Sequence, residues 1–187
     1  MDALKSCYDK QKEGEVKKIL KWSIVLFSLV IFLILPLISH ASSEYINNFE
    51  TEIQILESGK ILITEKIDYY FPEPRHGIFR TIPIVYQDQN DRYFALKLNV
   101  LGVTDAKNNT FRYTTSEEGY YLKIKIGDPT KTVVGLQEFN IQYSVEGAIN
   151  YFDGWDELYW NATGTEWKVP IKKVKAVVVL PQKADPT

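Results

Sequence analysis

Hydrophobic and polar side chains alternate along most of the chain after residue 49. Ile53 and Ile55 alternate with charged or amide side chains, and residues 61–69 repeat this pattern. A period of two residues is typical of β-strands, because successive side chains of a strand point to opposite faces. A glycine-containing turn, Glu57–Lys60, separates the two runs. The two runs are therefore predicted to form a β-hairpin.

Further stretches have the same period or a β-strand composition, and turn sequences such as Ser116–Gly119 and Gly127–Pro129 separate some of them. They are Phe94–Val100, Phe111–Tyr113, Tyr120–Ile126, Phe139–Val145, Trp167–Ile171 and Val174–Leu180, the last apolar on both faces. About eight strands and no soluble helix predict an all-β domain. An apolar face on each strand requires a second layer to cover it. We expect an antiparallel β-sandwich of immunoglobulin-like size, with a β-barrel as the alternative.

An apolar segment precedes this β region. Trp22–Ile38 contains no charged side chain, Lys17, Lys18 and Lys21 stand before it, and Ser39–Ala41 supplies small residues after it. This pattern is typical of a secretory signal peptide. The long preceding region also fits a retained transmembrane helix, for which 17 apolar residues lie at the lower limit of length. Both readings export the rest of the chain, because the lysines stay on the cytoplasmic side.

The predicted organisation follows from this segment. Residues 1–21 form a cytoplasmic region, 22–41 a signal peptide or transmembrane anchor with one apolar helix, 42–181 an extracytoplasmic β domain, and 182–187 a linker or truncated end. The expected location is the cell membrane, with most of the chain outside the cytoplasm. Residues 22–38 would contact the membrane if they are not cleaved.

Composition excludes several functions. The net charge of −2 gives no reason to expect a nucleic-acid partner. Cys7 is the only cysteine, so no intramolecular disulfide can form, and His76 is the only histidine after residue 41. The exported part thus lacks a nitrogen or sulfur ligand set for zinc, and we expect no metal and no cofactor. No residue is assigned a catalytic role.

One carboxylate lies on the apolar face of its predicted strand. Glu65 has the same parity as Ile63 and Ile67, so its side chain is expected to point into the core. A buried carboxylate is costly unless a cation pairs with it. Arginine suits this role because its planar group binds a carboxylate at two points. We predict a structural ion pair between Glu65 and Arg80, with Arg75 as the second choice.

Aromatic and acidic side chains are concentrated in "DGWDELYWNATGTEW", residues 153–167. Three interpretations remain open: a buried corner of the domain, a ligand-binding surface, or a glycan-cleaving site that uses Asp153 with Asp156 or Glu157. We expect Tyr151–Asn161 to combine with the Pro72–Pro83 loop into one surface. The candidate ligand-binding residues are Arg75, His76, Trp155, Asp156, Glu157, Tyr159 and Trp160.

Four segments resemble the N-terminal domain of the DUF2207 family of predicted bacterial and archaeal membrane proteins. They are "HGIFRTIP" (76–83), "IKIGDP" (124–129), "FNIQYSVEGAI" (139–149) and "DELYWNATGTEWKVPI" (156–171). The resemblance runs from about Ile46 to Pro181. It implies a location and an architecture but no reaction, and it places Glu65 and Arg80 at the family's Glu and Arg positions.

The resulting functional hypothesis is an extracytoplasmic, membrane-associated binding or interaction domain that is not an enzyme. Its partner would be a membrane protein or a cell-wall glycan. Two alternatives remain: a purely structural domain that positions a membrane partner, and a glycan-cleaving enzyme. Exposed rings such as Trp155 or Tyr159 would favour binding, whereas burial of Trp155, Tyr159 and Trp160 would favour a structural role.

Overall fold

The computed structural model describes residues 20–23, 43–87 and 91–182. The chain separates into two compact units, Met1–Ser42 and Ser43–Thr187. Residues 20–23 are helical, and no helix among the described residues is long and apolar enough to span a membrane. Most of the expected cytoplasmic region and apolar segment, and most of the terminal linker, lie outside the described residues.

The second unit consists mainly of β-strands, as the alternation predicts. Within its described residues the strands are β1 (Tyr45–Ile55), β2 (Ile61–Arg75), β3 (Gly77–Pro83), β4 (Val85–Gln87), β5 (Tyr93–Ala95), β6 (Lys97–Thr104), β7 (Tyr113–Glu118), β8 (Tyr121–Gly127), β9 (Val133–Glu146), β10 (Ile149–Phe152), β11 (Trp155–Leu158) and β12 (Val174–Val179).

The strands form several sheets. The largest has five strands in the order β12-β1-β2-β9-β6, and a second has three in the order β3-β8-β7. Two ribbons, β10-β11 and β4-β5, complete the set. All pairs are antiparallel except β1 with β12, which is parallel. The expectation of purely antiparallel pairing is therefore wrong at one edge of the sheet. There, an irregular segment of 15 residues (159–173) connects β11 to β12, and β12 runs parallel to β1.

The predicted β1–β2 hairpin is present, with Ile53 opposite Ile63 and Gln54 opposite Leu62. Its turn is closed by the N–H of Leu56, which donates to the carbonyl of Lys60 at 2.9 Å. Gly59 has φ +76°, a left-handed conformation that favours glycine because it has no Cβ. Turn sequence and apolar parity thus agree on one register.

One hydrophobic core contains inward side chains of both the five-stranded and the three-stranded sheets. Its fully buried members include Phe49, Ile63, Ile67, Ile82, Ile124, Phe139, Ile141 and Val145. Burying each such side chain stabilises the fold by about 1.5–3 kcal/mol relative to leaving it exposed. The predicted inward parity of the strand at 139–145 is confirmed, since Phe139, Ile141, Tyr143 and Val145 are all buried.

Three local predictions need correction. The strand expected at Phe94–Val100 is divided at Leu96 into β5, which pairs with β4, and β6, which pairs with β9. The turn expected at Ser116–Gly119 begins later, because β7 continues to Glu118. Residues 167–171 form no strand, but half-buried side chains there pack against the core. In each case a tertiary contact outweighs the local alternation.

Candidate functional site

The predicted pair between Glu65 and Arg80 lies in the interior. The Nε of Arg80 donates to Oε2 of Glu65 at 2.7 Å, and its Nη2 donates to Oε1 at 2.6 Å. Both side chains are buried, with exposures of 0% and 2%. The hydroxyl of Tyr143 on β9 donates to Oε1 of Glu65 at 2.7 Å. The carboxylate thus receives three charge-assisted hydrogen bonds, which offset part of its desolvation.

Electrostatics keep Arg80 charged and Tyr143 neutral. Burial by itself lowers the pKa of Arg80, but the adjacent Glu65 carboxylate more than compensates, so the pKa is raised. Burial and then the charge of Glu65 raise the pKa of Tyr143 well above its ordinary value. A charged guanidinium and a neutral phenol in an enclosed core provide no proton donor or acceptor to a solvent-borne substrate. The arrangement therefore fits a structural role.

The segment that follows β11 covers the guanidinium. The ring of Trp167 lies 5.5 Å from Cζ of Arg80, and the ring of Phe49 lies 5.9 Å from it. Gly164 has φ +76°, and a Cβ at this position would collide with Nη1 of Arg80. The side chain of Asn161 accepts the N–H of Gly164 at 2.9 Å and fixes this turn. The two family-like segments, 76–83 and 156–171, therefore meet at Arg80.

His76 lies at a second contact between family-like segments, where segment 76–83 pairs with segment 124–129. Its Nδ1 lies 2.8 Å from the carbonyl oxygen of Lys131 and 3.1 Å from that of Asp128, so this nitrogen donates. Gly77 and Gly127 face each other across β3 and β8 with φ near +138° and +135°. A Cβ on either glycine would collide with a carbonyl oxygen of the opposite strand. These contacts explain the two glycines as close-approach positions.

Arg75 is paired locally. Its Nε donates to Oε1 of Glu44 at 2.7 Å, and the hydroxyl of Tyr69 donates to the same carboxylate at 2.6 Å. Partial burial by itself raises the pKa of Glu44, but the hydrogen bonds from Tyr69 and Arg75 outweigh it and the pKa is lowered. Arg75 is therefore held at the end of β2 and is not the partner of Glu65.

The remaining candidates except Trp160 lie on what we call the aromatic hairpin, residues 149–159, which comprises β10, β11, the turn between them and Tyr159. Phe152 pairs with Trp155 and Asn150 pairs with Glu157 across the two strands, so these four side chains share one face. The rings of Phe152 and Trp155 stack with centroids 4.4 Å apart and planes inclined by 16°. Asn150 donates from Nδ2 to Oε2 of Glu157 at 3.3 Å.

The aromatic candidates differ in their exposure to solvent. Trp155 is 55% exposed and Tyr159 is 77% exposed, so neither ring fills the core. Trp160 is half-buried, its ring lies 6.5 Å from that of Tyr143, and its Nε1 has no hydrogen-bond partner within the described residues. The aromatic cluster noticed in the sequence thus divides into an outward pair of rings and an inward tryptophan.

The structure does not place Arg75 and His76 beside the aromatic hairpin. Tyr151 of the aromatic hairpin lies against Gly59, just before β2 begins, whereas Arg75 ends β2. At about 3.3 Å per residue, a strand of this length spans roughly 46 Å. Most of Pro72–Pro83 is also strand, not loop. Arg75 and His76 therefore lie near one end of β2, and the aromatic hairpin lies near the other end.

Two features of the site lacked a sequence signal. The parity of Tyr143 indicates burial but not that its hydroxyl meets Glu65. Tyr151 and Phe152 are exposed beside the Asp153–Gly154 turn, and only the pairing of β10 with β11 places Phe152 on Trp155. A half-open depression of about 340 Å³ beside this hairpin is lined by Ser58, Gly59, Lys60, Glu146, Gly147, Ile149 and Tyr151.

The described part of the chain contains no group of three or more histidine, cysteine, aspartate or glutamate side chains that could hold a metal ion. Among the candidate carboxylates, Asp153 lies in the turn of the hairpin, and Asp156 and Glu157 lie on β11. Asp156 pairs with Tyr151 and Glu157 pairs with Asn150, so the two acids point to opposite faces of the hairpin.

These features define a mostly β domain with a buried ion pair and an exposed aromatic hairpin. The sequence matches the family described as "Predicted membrane protein (DUF2207) N-terminal domain" over residues 45–187, and the chain belongs to this family. The match is consistent with membrane association. A comparison with curated proteins finds no match.

Among solved structures, the chain is similar to an M1 zinc metallopeptidase from Deinococcus radiodurans at 8% identity and a TM-score of 0.37, covering 54% of this chain and 20% of that one. It is also similar to leukotriene A4 hydrolase from Saccharomyces cerevisiae at 11% identity and a TM-score of 0.38, covering 57% and 16%. The chain thus spans a fifth or less of these two structures, and likenesses this low support no statement about activity.

Proposed function

We propose that residues 43–182 form an extracytoplasmic β-sandwich domain that acts as an interaction module at the membrane, with the aromatic hairpin as its binding surface. The family description and the lysine-flanked apolar segment support the location. The sharing of one core by the two main sheets supports the sandwich arrangement. The proposed ligand is a membrane protein or a cell-wall glycan.

One observation carries this proposal. Phe152 and Trp155 stack on each other while their outer surfaces remain open to solvent. Aromatic rings usually bury their large apolar area, so a pair presented together on a short ribbon marks an interaction site. Because the two strands hold the rings in register, little side-chain entropy is lost when a partner binds.

A purely structural role is the second candidate, and a different observation favours it. The family-like segments meet at Arg80 and at the Gly77–Gly127 contact, both of which stabilise the fold and face no ligand. Such a domain would position a membrane partner through its rigidity alone. The glycan-cleaving alternative, which would use Asp153 with Asp156 or Glu157, is the weakest of the three, because Asp153 and Asp156 are exposed on a two-stranded ribbon.

Site-directed photo-cross-linking tests the binding proposal. The full-length chain is produced in the membranes of its source cells with benzoylphenylalanine at position 159, at the edge of the aromatic hairpin. The matched control carries it at Leu136, which is 56% exposed on β9. We expect a discrete cross-linked product at 159 that is lost in Phe152→Ala/Trp155→Ala. Equal products at both positions, or none at 159, would favour the structural role.

A further inference from the structure

The aromatic hairpin is strongly acidic as well as aromatic. Its strands and turn carry Asp153, Asp156 and Glu157, and residues 149–161 contain no lysine or arginine. None of these three carboxylates has an ion-pair partner within the described residues. The surface therefore presents uncompensated negative charge around the stacked pair of Phe152 and Trp155.

Other rings of this domain do have a cation. The Nζ of Lys172 lies 3.2 Å from the ring centroid of Tyr45, and the Nζ of Lys123 lies 5.1 Å from that of Phe79. In the interior, Arg80 lies over Trp167. The negative face of an aromatic ring attracts such cations, and tryptophan attracts them most strongly. Within the described residues no cation lies over Phe152 or Trp155, although Asp153, Asp156 and Glu157 lie on the same hairpin.

Glu157 adds a directed acceptor to the same face. Strand alternation places its side chain on the side of Trp155, two residues away, and Asn150 holds one of its oxygens. A guanidinium that lies on the indole ring could therefore donate to the other oxygen of Glu157. Arginine combines ring stacking with this planar donor geometry.

Building on the function proposed above, we infer that the aromatic hairpin binds an arginine-bearing segment of a protein partner. Charge complementarity selects this ligand. An anionic polymer would be repelled by the three carboxylates, and a neutral glycan would gain ring stacking but no benefit from their charge. A basic peptide satisfies both features of the surface.

Fluorescence anisotropy with a labelled peptide tests the inference on the full-length chain in detergent micelles. The probe is Gly-Arg-Gly-Arg-Gly-Arg, and its matched control replaces arginine by citrulline, which keeps the shape and removes the charge. We expect at least tenfold weaker binding of the citrulline peptide, and weaker binding of the arginine peptide as salt increases.

Variants separate site binding from general attraction to an acidic protein. Glu157→Gln and, independently, Phe152→Leu/Trp155→Leu should each weaken arginine-peptide binding several-fold, whereas Glu117→Gln on β7 removes the same charge at an exposed site outside the aromatic hairpin and should leave it unchanged. Equal loss in Glu157→Gln and Glu117→Gln would overturn the inference, as would equal binding of the two peptides.

A neutral chito-oligosaccharide distinguishes failure of the arginine inference from failure of the proposed binding function. If it binds the wild type, loses affinity in Phe152→Leu/Trp155→Leu and is insensitive to salt, the arginine inference is wrong while the hairpin remains a binding surface. If neither peptide nor sugar binds and position 159 gives no cross-link, both the inference and the proposed function are wrong.

Discussion

The carboxylate of Glu65 and the guanidinium of Arg80, fifteen positions apart in sequence, meet through two hydrogen bonds of 2.7 and 2.6 Å in the interior of the domain. The pair joins β2 of the five-stranded sheet to β3 of the three-stranded sheet. Because a buried charge tolerates no change of partner, this contact fixes how the two sheets align.

Glu65→Gln should destabilise the domain by about 3–5 kcal/mol, since it leaves the Arg80 charge buried without its counter-charge. The free energy of unfolding, measured by urea denaturation, checks this. Glu117→Gln at an exposed position is the matched control and should stay within about 0.5 kcal/mol of the wild type. An unchanged midpoint for Glu65→Gln would contradict the structural role of the pair.

Arg80→Lys should also destabilise the domain although it keeps the positive charge. Lysine cannot reproduce the two-point contact with Glu65, and it loses the planar stacking against Trp167. Thermal unfolding of the single variants and of Arg80→Lys/Glu65→Gln forms a double-mutant cycle. Strictly additive effects would show that the two side chains are not coupled.

Gly164→Ala should destabilise the domain by about 1–3 kcal/mol, because alanine is strained at φ +76° and its Cβ would displace the Arg80 guanidinium. Gly119→Ala is the matched control: Gly119 has φ +62°, but nothing lies near its Cβ position. The difference in melting temperature between the two variants isolates the contact with Arg80. Equal losses would mean that backbone strain alone matters.

Stability should fall as the pH rises above about 10. An exposed tyrosine of the unfolded chain ionises near pH 10, whereas burial and the Glu65 charge raise the pKa of Tyr143 in the folded state. The unfolded state then releases a proton that the folded state retains, so the stability from this group is complete below pH 10 and is lost above it.

Tyr143→Phe tests this origin of the alkaline loss. The variant should be less stable at pH 7, because the hydroxyl no longer donates to Glu65, and its stability should decline less steeply than that of the wild type above pH 10. Urea unfolding at pH 7 to 11 measures both effects. Parallel curves for the two proteins would contradict the assignment.

Labelling of cysteines in intact cells should show the orientation of the chain. Cys7 is the only native cysteine and lies before the lysines that flank the apolar segment. In Tyr159→Cys, a membrane-impermeant maleimide should label position 159 in intact cells, whereas Cys7 of the wild type should react only after the cells are lysed. The reverse result would place the β domain in the cytoplasm.

The sequence predicted the β architecture because alternation is a local property. The parity of residues 61–69 indicated which side chains face inward. The same parity predicted that Glu65 is a buried carboxylate that requires a cation. It offered two arginines, however, and only the structure shows Arg75 paired with Glu44 and Arg80 with Glu65. The choice depends on how two sheets pack, which no local pattern encodes.

The candidate site illustrates the same limit. Composition marked Trp155, Tyr159 and Trp160 as one cluster, but pairing of β10 with β11 turns Trp155 outward and leaves Trp160 against Tyr143. Arg75 and His76 are also separated from the aromatic hairpin, because the two groups lie near opposite ends of β2. The amino-acid order by itself determined many of the strands, their inward faces and the need for a counter-charge. The tertiary structure decided the partners and the exposed surfaces, because these depend on contacts between segments distant in sequence.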